Sequence, residues 1–380
     1  MKKIIVVLPT LPNYRKDFFN TLSAQLANND IELEVFHGLT KKRDIQGIDQ
    51  KNFKTISFDT TEYSLKGFTL AILKGLKQRI VKSSPDGVVV LFNPANVSLV
   101  NILLYSLKKK IPYALWSCGW IRPNINGLLS KVRERFLEYF EQRACVHIAY
   151  HSMRKSVLVK KGIPFNSVFV AQNTIDTEAI INSYNLKEVN KKRFNGKLKV
   201  LFVGGLIKGK YLEEAMSVVD NLISDNYQIS FTIIGGGSTI ENLKSYRESL
   251  KNKNEIHIMG PKYGGELQPY FLESDVFLLP GSGGLAINEA MAYGLPIIST
   301  DGDGSGFDLI EGNGYLLHEV GNKTEIRTAL STFARLPREQ KLEMSENSLS
   351  IIKTKATNSL MVKHFMEAIL FMLNKQKNNI

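Results

Sequence analysis

The chain has 380 residues, 43% of them hydrophobic and 22% charged, with a formal net charge of +13. That length allows two domains with sizeable cores, and no apolar run approaches the roughly 18–20 residues of a membrane span. Two cysteines, Cys118 and Cys145, are too few for a disulfide framework and have no metal-ligand spacing, which suits a reducing cytoplasm.

The excess charge is unevenly placed. Residues 1–180 carry 26 Lys and Arg against 14 Asp and Glu, a net +12, while the remaining 200 carry 23 against 22. A basic half-molecule seeks phosphate, whether on nucleic acid, an anionic membrane surface or an acidic substrate. Nucleic acid is not expected, because no binding motif accompanies the charge.

The start, "MKKIIVVLPT", sets two lysines before an apolar run like a short leader. The run covers only Ile4–Leu8 and no small-residue cleavage site follows, so it reads as a first strand. Helical spacing over Tyr14–Leu26 comes next, then an apolar run at Ile31–Phe36 and a second helical pattern over Phe68–Lys82. Strand-like runs continue at Val88–Phe92 and Tyr113–Trp116. An amphipathic helix is predicted over Leu128–Arg143, with Leu128, Leu129, Val132, Phe136, Tyr139 and Phe140 on one face. Its Lys131, Arg133, Arg135 and Arg143 lie mostly elsewhere, so it suits packing on its own sheet or resting on an anionic membrane. Runs at Val146–Ala149 and Val168–Val170 close this half.

A polar stretch, "NSYNLKEVNKKRFNGK" (Asn182–Lys197), reads as a hinge. Strand-like runs then recur at Val200–Val203, Ile229–Ile234, Ile256–Met259, Val276–Leu279, Pro296–Ser299 and Tyr315–Leu317. An amphipathic helix over Asn358–Leu373 ends the pattern. The runs are mostly continuous, as in parallel strands buried on both faces. Repeated βα units in each half predict an α/β protein of two doubly wound domains. The expected boundaries are a basic N-terminal domain at 1–180, a linker at 181–197, a C-terminal domain at 198–357, and a helix and tail at 358–380.

Three bare turns follow strands of the second half: Gly204-Gly205, Gly235-Gly236-Gly237 and Gly281-Ser282-Gly283-Gly284. Ligands of open α/β sheets bind at these carboxyl ends. Glycine admits a phosphate to the backbone, and a helix starting near Leu285 offers free N–H groups to it. Glu289, one turn further, is placed to accept hydrogen bonds from a ribose. A glycine turn before a helix is also common in itself, and the helix dipole alone favours an early acid. No G-x-G-x-x-G is present, and Gly204–Lys210 misses a P-loop because Tyr211 replaces its Ser or Thr. Asp301-Gly302-Asp303 matches a two-acid metal motif that is cheap by chance, so metal ligation is not expected. His147 and His151 lack a third ligand and read as structural.

"LFVGGLIKGKYLEEAM" (Leu201–Met216), "TIIGGGSTIENL" (Thr232–Leu243) and "PGSGGLAINEAMAYGLPII" (Pro280–Ile298) occur in order. Together they resemble the C-terminal domain of group 1 glycosyltransferases (family 4, retaining). "VAQNTIDTE" (Val170–Glu178) is similar to that family's segment before the linker, and "LPNYRKDFFNTLSAQL" (Leu11–Leu26) to the first loop and helix of its bacterial polysaccharide members.

The resemblance implies the GT-B fold, two Rossmann-like domains facing across a cleft. It implies transfer of a sugar, with retention, from a nucleotide-sugar donor, UDP-linked, to a growing surface glycan or polyprenyl-linked acceptor, as in lipopolysaccharide biosynthesis. No metal or other cofactor is implied. Glu289 matches the second acid of the family's E-x7-E motif, which binds the nucleotide ribose, while the first falls on Gly281. Gly205 stands where an Arg for the diphosphate would be, and Lys210 matches the Lys five residues on, with Lys208 close by.

Lys210 and Glu289 are therefore the expected catalytic residues. Gly204, Gly205, Lys208, Gly235, Gly236, Gly281, Ser282, Gly283, Gly284 and Leu285 are expected to bind the donor. Tyr14 and Arg15, in the first loop, are expected on the acceptor side, and Cys118 has no assigned role. The expected location is cytoplasmic, with the basic half as a candidate contact for the inner face of the cell membrane. Two alternatives stand beside this one. A nucleotide-sugar 2-epimerase shares the fold, and the missing Glu and Arg also suit a non-catalytic sugar-binding or partner subunit.

Overall fold

The computed structural model describes residues 1–39, 52–65, 68–92, 95–117, 128–302 and 304–377. The chain divides into two units, Met1–Gln172 with Asn358–Ile380, and Asn173–Thr357.

The first unit contains β1 (Lys2–Leu8), α1 (Lys16–Ala27), β2 (Ile31–Leu39), β3 (Lys54–Leu65), β4 (Phe68–Leu73) and α2 (Leu76–Ser83). It continues through β5 (Gly87–Leu91), α3 (Val97–Lys109), β6 (Tyr113–Ser117), α4 (Leu128–Glu141), β7 (Val146–Ala149), α5 (Ser152–Lys160) and β8 (Val168–Val170). The strands form one sheet in the order β4-β3-β2-β1-β5-β6-β7-β8. All pairs are parallel except the β3–β4 hairpin. Alternate residues of β1 enter two layers. Ile4, Val6 and Leu8 pack with Phe18, Phe19 and Leu22 of α1, while Ile5 and Val7 meet Ile80, Leu99, Ile102 and Phe140. Burial on both faces explains why β1 reads as an unbroken apolar run.

The helical pattern expected over Phe68–Lys82 is corrected. Its first six residues are β4, paired antiparallel to β3, and the helix begins only after Gly75, whose φ is +78°. A short apolar run fits a strand or a buried helix equally, and pairing with β3 decides between them. β3 escaped the sequence reading because Asp59 and Glu62 interrupt its apolar pattern.

The second unit opens with α6 (Thr177–Asn182) and α7 (Leu186–Lys192). It continues through β9 (Leu198–Val203), α8 (Leu212–Ser224), β10 (Ile229–Ile234), α9 (Ile240–Glu248), β11 (Ile256–Ile258), α10 (Gln268–Glu273) and β12 (Val276–Leu279). Then come α11 (Leu285–Ala292), β13 (Ile297–Thr300), α12 (Gly306–Leu309), β14 (Gly314–Leu317), α13 (Lys323–Arg335) and α14 (Arg338–Lys355). Its sheet is wholly parallel, in the order β11-β10-β9-β12-β13-β14. The last helix, α15 (Asn358–Lys377), returns to the first unit, where Phe365, Ile369 and Met372 join the core built on α1.

Residues 181–197, expected as a linker, belong to the second unit. Arg193 is 2% exposed and donates to the carbonyls of Gly294 and Phe271, each at 2.9 Å. Burial pulls its pKa down to about 10, so it remains charged at neutral pH. The Phe194 N–H reaches Asp275 Oδ1 at 2.8 Å, and Tyr184 donates to the Ala292 carbonyl at 2.8 Å. Polar composition suggested solvent here, but the polar groups are paired inside. Divided at these boundaries, the first unit carries 29 Lys and Arg against 13 Asp and Glu, a net +16, and the second 20 against 23, a net −3. No helix among the described residues is long and apolar enough to cross a membrane.

Candidate active site

The carboxyl ends of β9, β10, β12 and β13 carry loops that lock together. Gly204 N–H bonds to the Ile234 carbonyl at 3.0 Å and Leu206 N–H to that of Gly236 at 2.9 Å, so the first two loops run side by side. This contact explains the second bare turn. A Cβ at Gly237 would lie 2.7 Å from the Leu206 carbonyl carbon, and one at Gly235 would strike the Gly204 oxygen.

Beyond Leu206 the β9 loop is open. The N–H groups of Leu206, Ile207, Lys210 and Tyr211 are taken by backbone carbonyls. Those of Gly205, Lys208 and Gly209 have no protein acceptor among the described residues. A Cβ at Gly205 or Gly209 would meet nothing within 4 Å. Bare backbone, N–H groups unclaimed among the described residues, and two lysines, Lys208 and Lys210, in one short run are the ingredients of an anion site. At the start of α11, the N–H groups of Gly283, Gly284, Leu285 and Ala286 are likewise unclaimed, and Ile287 supplies the first helical bond, to Gly284, at 2.9 Å.

Glu289 sits in α11 beyond its first turn, half-buried, and its carboxylate has no hydrogen-bond or ion-pair partner among the described residues. It caps nothing, since the N-cap is Gly284. Desolvation pushes its pKa up to about 7. Tyr293, one turn on, is raised to about 12 by burial and then by the Glu289 charge. The neighbouring Asn288 is buried and donates to the Asn173 carbonyl at 2.7 Å, fixing the helix from its other side. A desolvated carboxyl with no protein partner costs stability, so helix architecture does not account for Glu289.

Position 281 differs from expectation. A Cβ there would stand 2.7 Å from Lys210 Cα and strike the Gly209 carbonyl. Ser282 N–H bonds back to Gly209 O at 3.3 Å, and Lys210 Nζ donates to the Ser282 carbonyl. The bareness of Gly281 and Gly283 is thus set by protein packing, whereas Gly205 and Gly209 are bare toward open space. Apart from this reassignment, the expected donor residues share one loop cluster. Sequence reasoning missed Gly209, Thr300, whose Oγ1 donates to Gly281 O at 3.0 Å, and Gly302, whose φ is +57°. Gly209 had a signal, as the second open glycine of the Lys-Gly-Lys run.

In the first unit, Tyr14 is 39% exposed at the carboxyl end of β1, whereas Arg15 is only 3% exposed. The Arg15 guanidinium lies 4.6 Å from the Trp116 ring centroid and donates to Tyr150 Oη at 3.4 Å and Met361 Sδ at 3.3 Å. Arg15 therefore fastens the first loop, which carries Tyr14, to β6, the end of β7 and α15. His147 Nε2 lies 3.0 Å from the Glu141 carbonyl, and burial pulls its pKa down to about 4. His151 Nδ1 accepts from Arg154 N–H at 3.1 Å, capping α5. Among the described residues no three His, Cys, Asp or Glu gather as a metal site, while Cys118 and Asp303 lie outside the described residues.

Residues 185–350 match the model of the glycosyl transferases group 1 family. The chain carries a group 1 glycosyltransferase domain. Among curated proteins, it is 28% identical over 210 residues to the Escherichia coli O-antigen biosynthesis glycosyltransferase WbnH, covering 54% of each chain. It is 30% identical over 165 residues to the Erwinia amylovora amylovoran biosynthesis glycosyltransferase AmsK, covering 41% of this chain and 39% of that one. The chain thus spans about half the length, or less, of these relatives.

Solved structures extend the likeness over both units. The lipopolysaccharide outer core galactosyltransferase WaaB matches with a TM-score of 0.64 at 18% identity, over 97% of this chain and 99% of that one. Anabaena HepE in complex with UDP matches with a TM-score of 0.69 at 14% identity, over the same shares. The fold is that of the GT-B glycosyltransferases. The candidate anion site on Gly205–Lys210 and the acid Glu289 both lie inside the matched group 1 domain.

Proposed function

We propose that this protein is a glycosyltransferase that takes a sugar from a nucleotide diphosphate donor, UDP-linked, and adds it to a growing surface glycan or polyprenyl-linked acceptor. One observation carries this reading. A half-buried carboxylate with no partner among the described residues, Glu289, lies in the helix that follows a turn packed on Lys210, and that turn carries a row of N–H groups unclaimed among the described residues. A nucleoside diphosphate offers hydroxyls to the acid and phosphate oxygens to the rest.

Departure of the diphosphate develops negative charge on its oxygens, and Lys210 with the amides at the start of α11 stabilises that charge. Glu289 holds the ribose. The reaction proceeds with retention and without a metal, because lysines and amides supply the positive charge. The polysaccharide roles in the relatives' names and the UDP in HepE support the donor and acceptor classes. The test is incubation with a panel of sugar nucleotides and membrane extract. Transfer, or slow donor hydrolysis, supports the reading. A new sugar nucleotide would mean an epimerase, and binding without turnover a partner subunit. The anomeric configuration of the product decides retention.

The charge division favours a place at the inner face of the cell membrane. The first unit carries the whole net excess, and Phe136 and Tyr139 of α4 are each 42% exposed. Aromatic side chains beside basic ones suit an anionic bilayer surface.

A further inference from the structure

Four loops of the second unit meet through bare backbone around one lysine. The Lys210 Cα lies against Gly281, and its ammonium lies 3.0 Å from where a Cβ on Gly283 would be. The Ser282 carbonyl between them accepts from that ammonium. The turn is braced from its far side, where a Cβ on Gly302 would come within 2.8 Å of the Gly283 oxygen. Thr300 Oγ1 holds the Gly281 carbonyl at 3.0 Å, and Gly321 N–H holds that of Pro280 at 2.8 Å. The Gly281–Gly283 segment is therefore a rigid shelf.

We propose that Gly281 and Gly283 are positioning residues for Lys210. They let its backbone and ammonium settle on the shelf, so that the cation stands beside the turn whose N–H groups, from Gly283 to Ala286, are unclaimed among the described residues. A free lysine side chain loses considerable rotamer freedom when it grips a phosphate, and a lysine already seated loses less. A side chain at Gly283 pushes the ammonium off the shelf while leaving its charge intact, and one at Gly281 displaces the backbone of Gly209 and Lys210. This rests on the reading that Lys210 meets the donor diphosphate.

Gly283→Ala is the informative variant, since its Cβ meets only side-chain ends, Leu279 Cδ2 at 2.8 Å and Lys210 Nζ at 3.0 Å. The first measurement uses no nucleotide. Lys210 acylation by a water-soluble amine-reactive ester is followed by peptide mass spectrometry, and Gly283→Ala is expected to raise its rate several-fold over wild type. An unchanged rate overturns the positioning role, whatever Lys210 does. The second measurement is UDP titration of Lys210→Ala, Gly283→Ala and the double variant. Each single change is expected to weaken UDP by roughly tenfold or more, and the double no further than Lys210→Ala alone. Losses that multiply in the double variant overturn the proposal, because Gly283 would then act apart from Lys210. Unchanged UDP affinity in Lys210→Ala, with faster acylation in Gly283→Ala, overturns the donor role of the lysine and leaves its seating supported.

Discussion

The Cα of Lys210 stands 2.7 Å from the point where a Cβ on Gly281 would be. This position is where the family resemblance leads one to expect an acid, and here it has been closed by another loop. Gly205, the other departure from the family pattern, faces open space. The two positions should respond in opposite ways to being filled. Gly281→Glu is expected to destabilise the fold by about 1–3 kcal/mol through overpacking, without improving donor use. Gly205→Arg is expected to leave the melting temperature within a few degrees of wild type and to strengthen UDP binding several-fold by adding a cation to the candidate anion site. Thermal unfolding and UDP titration of both variants check this.

Glu289→Gln should weaken UDP binding by about 1.5–3 kcal/mol, because the ribose loses a charged acceptor. The same change should stabilise the free protein. The folded pKa of Glu289, about 7, lies above the ordinary carboxylate value of 4.5. Between those values the folded state holds a proton that the unfolded state has lost, so stability falls as pH rises through the window. The cost is absent at pH 4 and complete above pH 7. Denaturant unfolding should thus find Glu289→Gln more stable than wild type by up to about 3 kcal/mol at pH 8 and equal to it at pH 4.

The same acid sets a pH dependence for nucleotide binding. In the free protein Glu289 is increasingly protonated below about pH 7, and a ribose is held best by its carboxylate. Wild-type affinity for UDP should therefore fall with decreasing pH below 7, relative to Glu289→Gln. Calorimetric titrations across pH 5.5–8.5 test it, and parallel profiles for the two proteins would remove the acid from the ribose.

Turnover should survive EDTA. In the proposed reaction Lys208, Lys210 and N–H groups unclaimed among the described residues supply the positive charge that a diphosphate requires. Loss of activity on chelation, restored by Mn²⁺ or Mg²⁺, would reinstate Asp301 and Asp303 as ligands.

Vesicle binding should require anionic lipid and weaken steeply with salt, since each Lys or Arg near the surface contributes about 1 kcal/mol within a Debye length. Replacing Lys131, Arg133 and Arg135 together by Gln should reduce it and leave UDP affinity unchanged. Co-sedimentation at rising ionic strength reads the effect, and salt-independent binding would point to insertion of apolar side chains instead.

Residue order alone shows where most strands lie and at which end of the second sheet the bare turns gather. A parallel strand covered on both faces must be apolar throughout, and β1, β9, β10 and β12 announce themselves in that way. Glu289 was legible because an acid after a bare strand-to-helix turn is written in residue order. Tertiary structure alone decided the rest. The strand β4 exists through its pairing with β3, and Arg193 and Asp275 draw the supposed linker into the second unit. Arg15 lies beneath aromatic rings contributed by residues up to 135 positions away. Glycine at 281 reads the same whether a ligand or a loop lies beside it, because an absent side chain does not say what fills its place. Only the position of Lys210, 71 residues earlier in the chain, answers that.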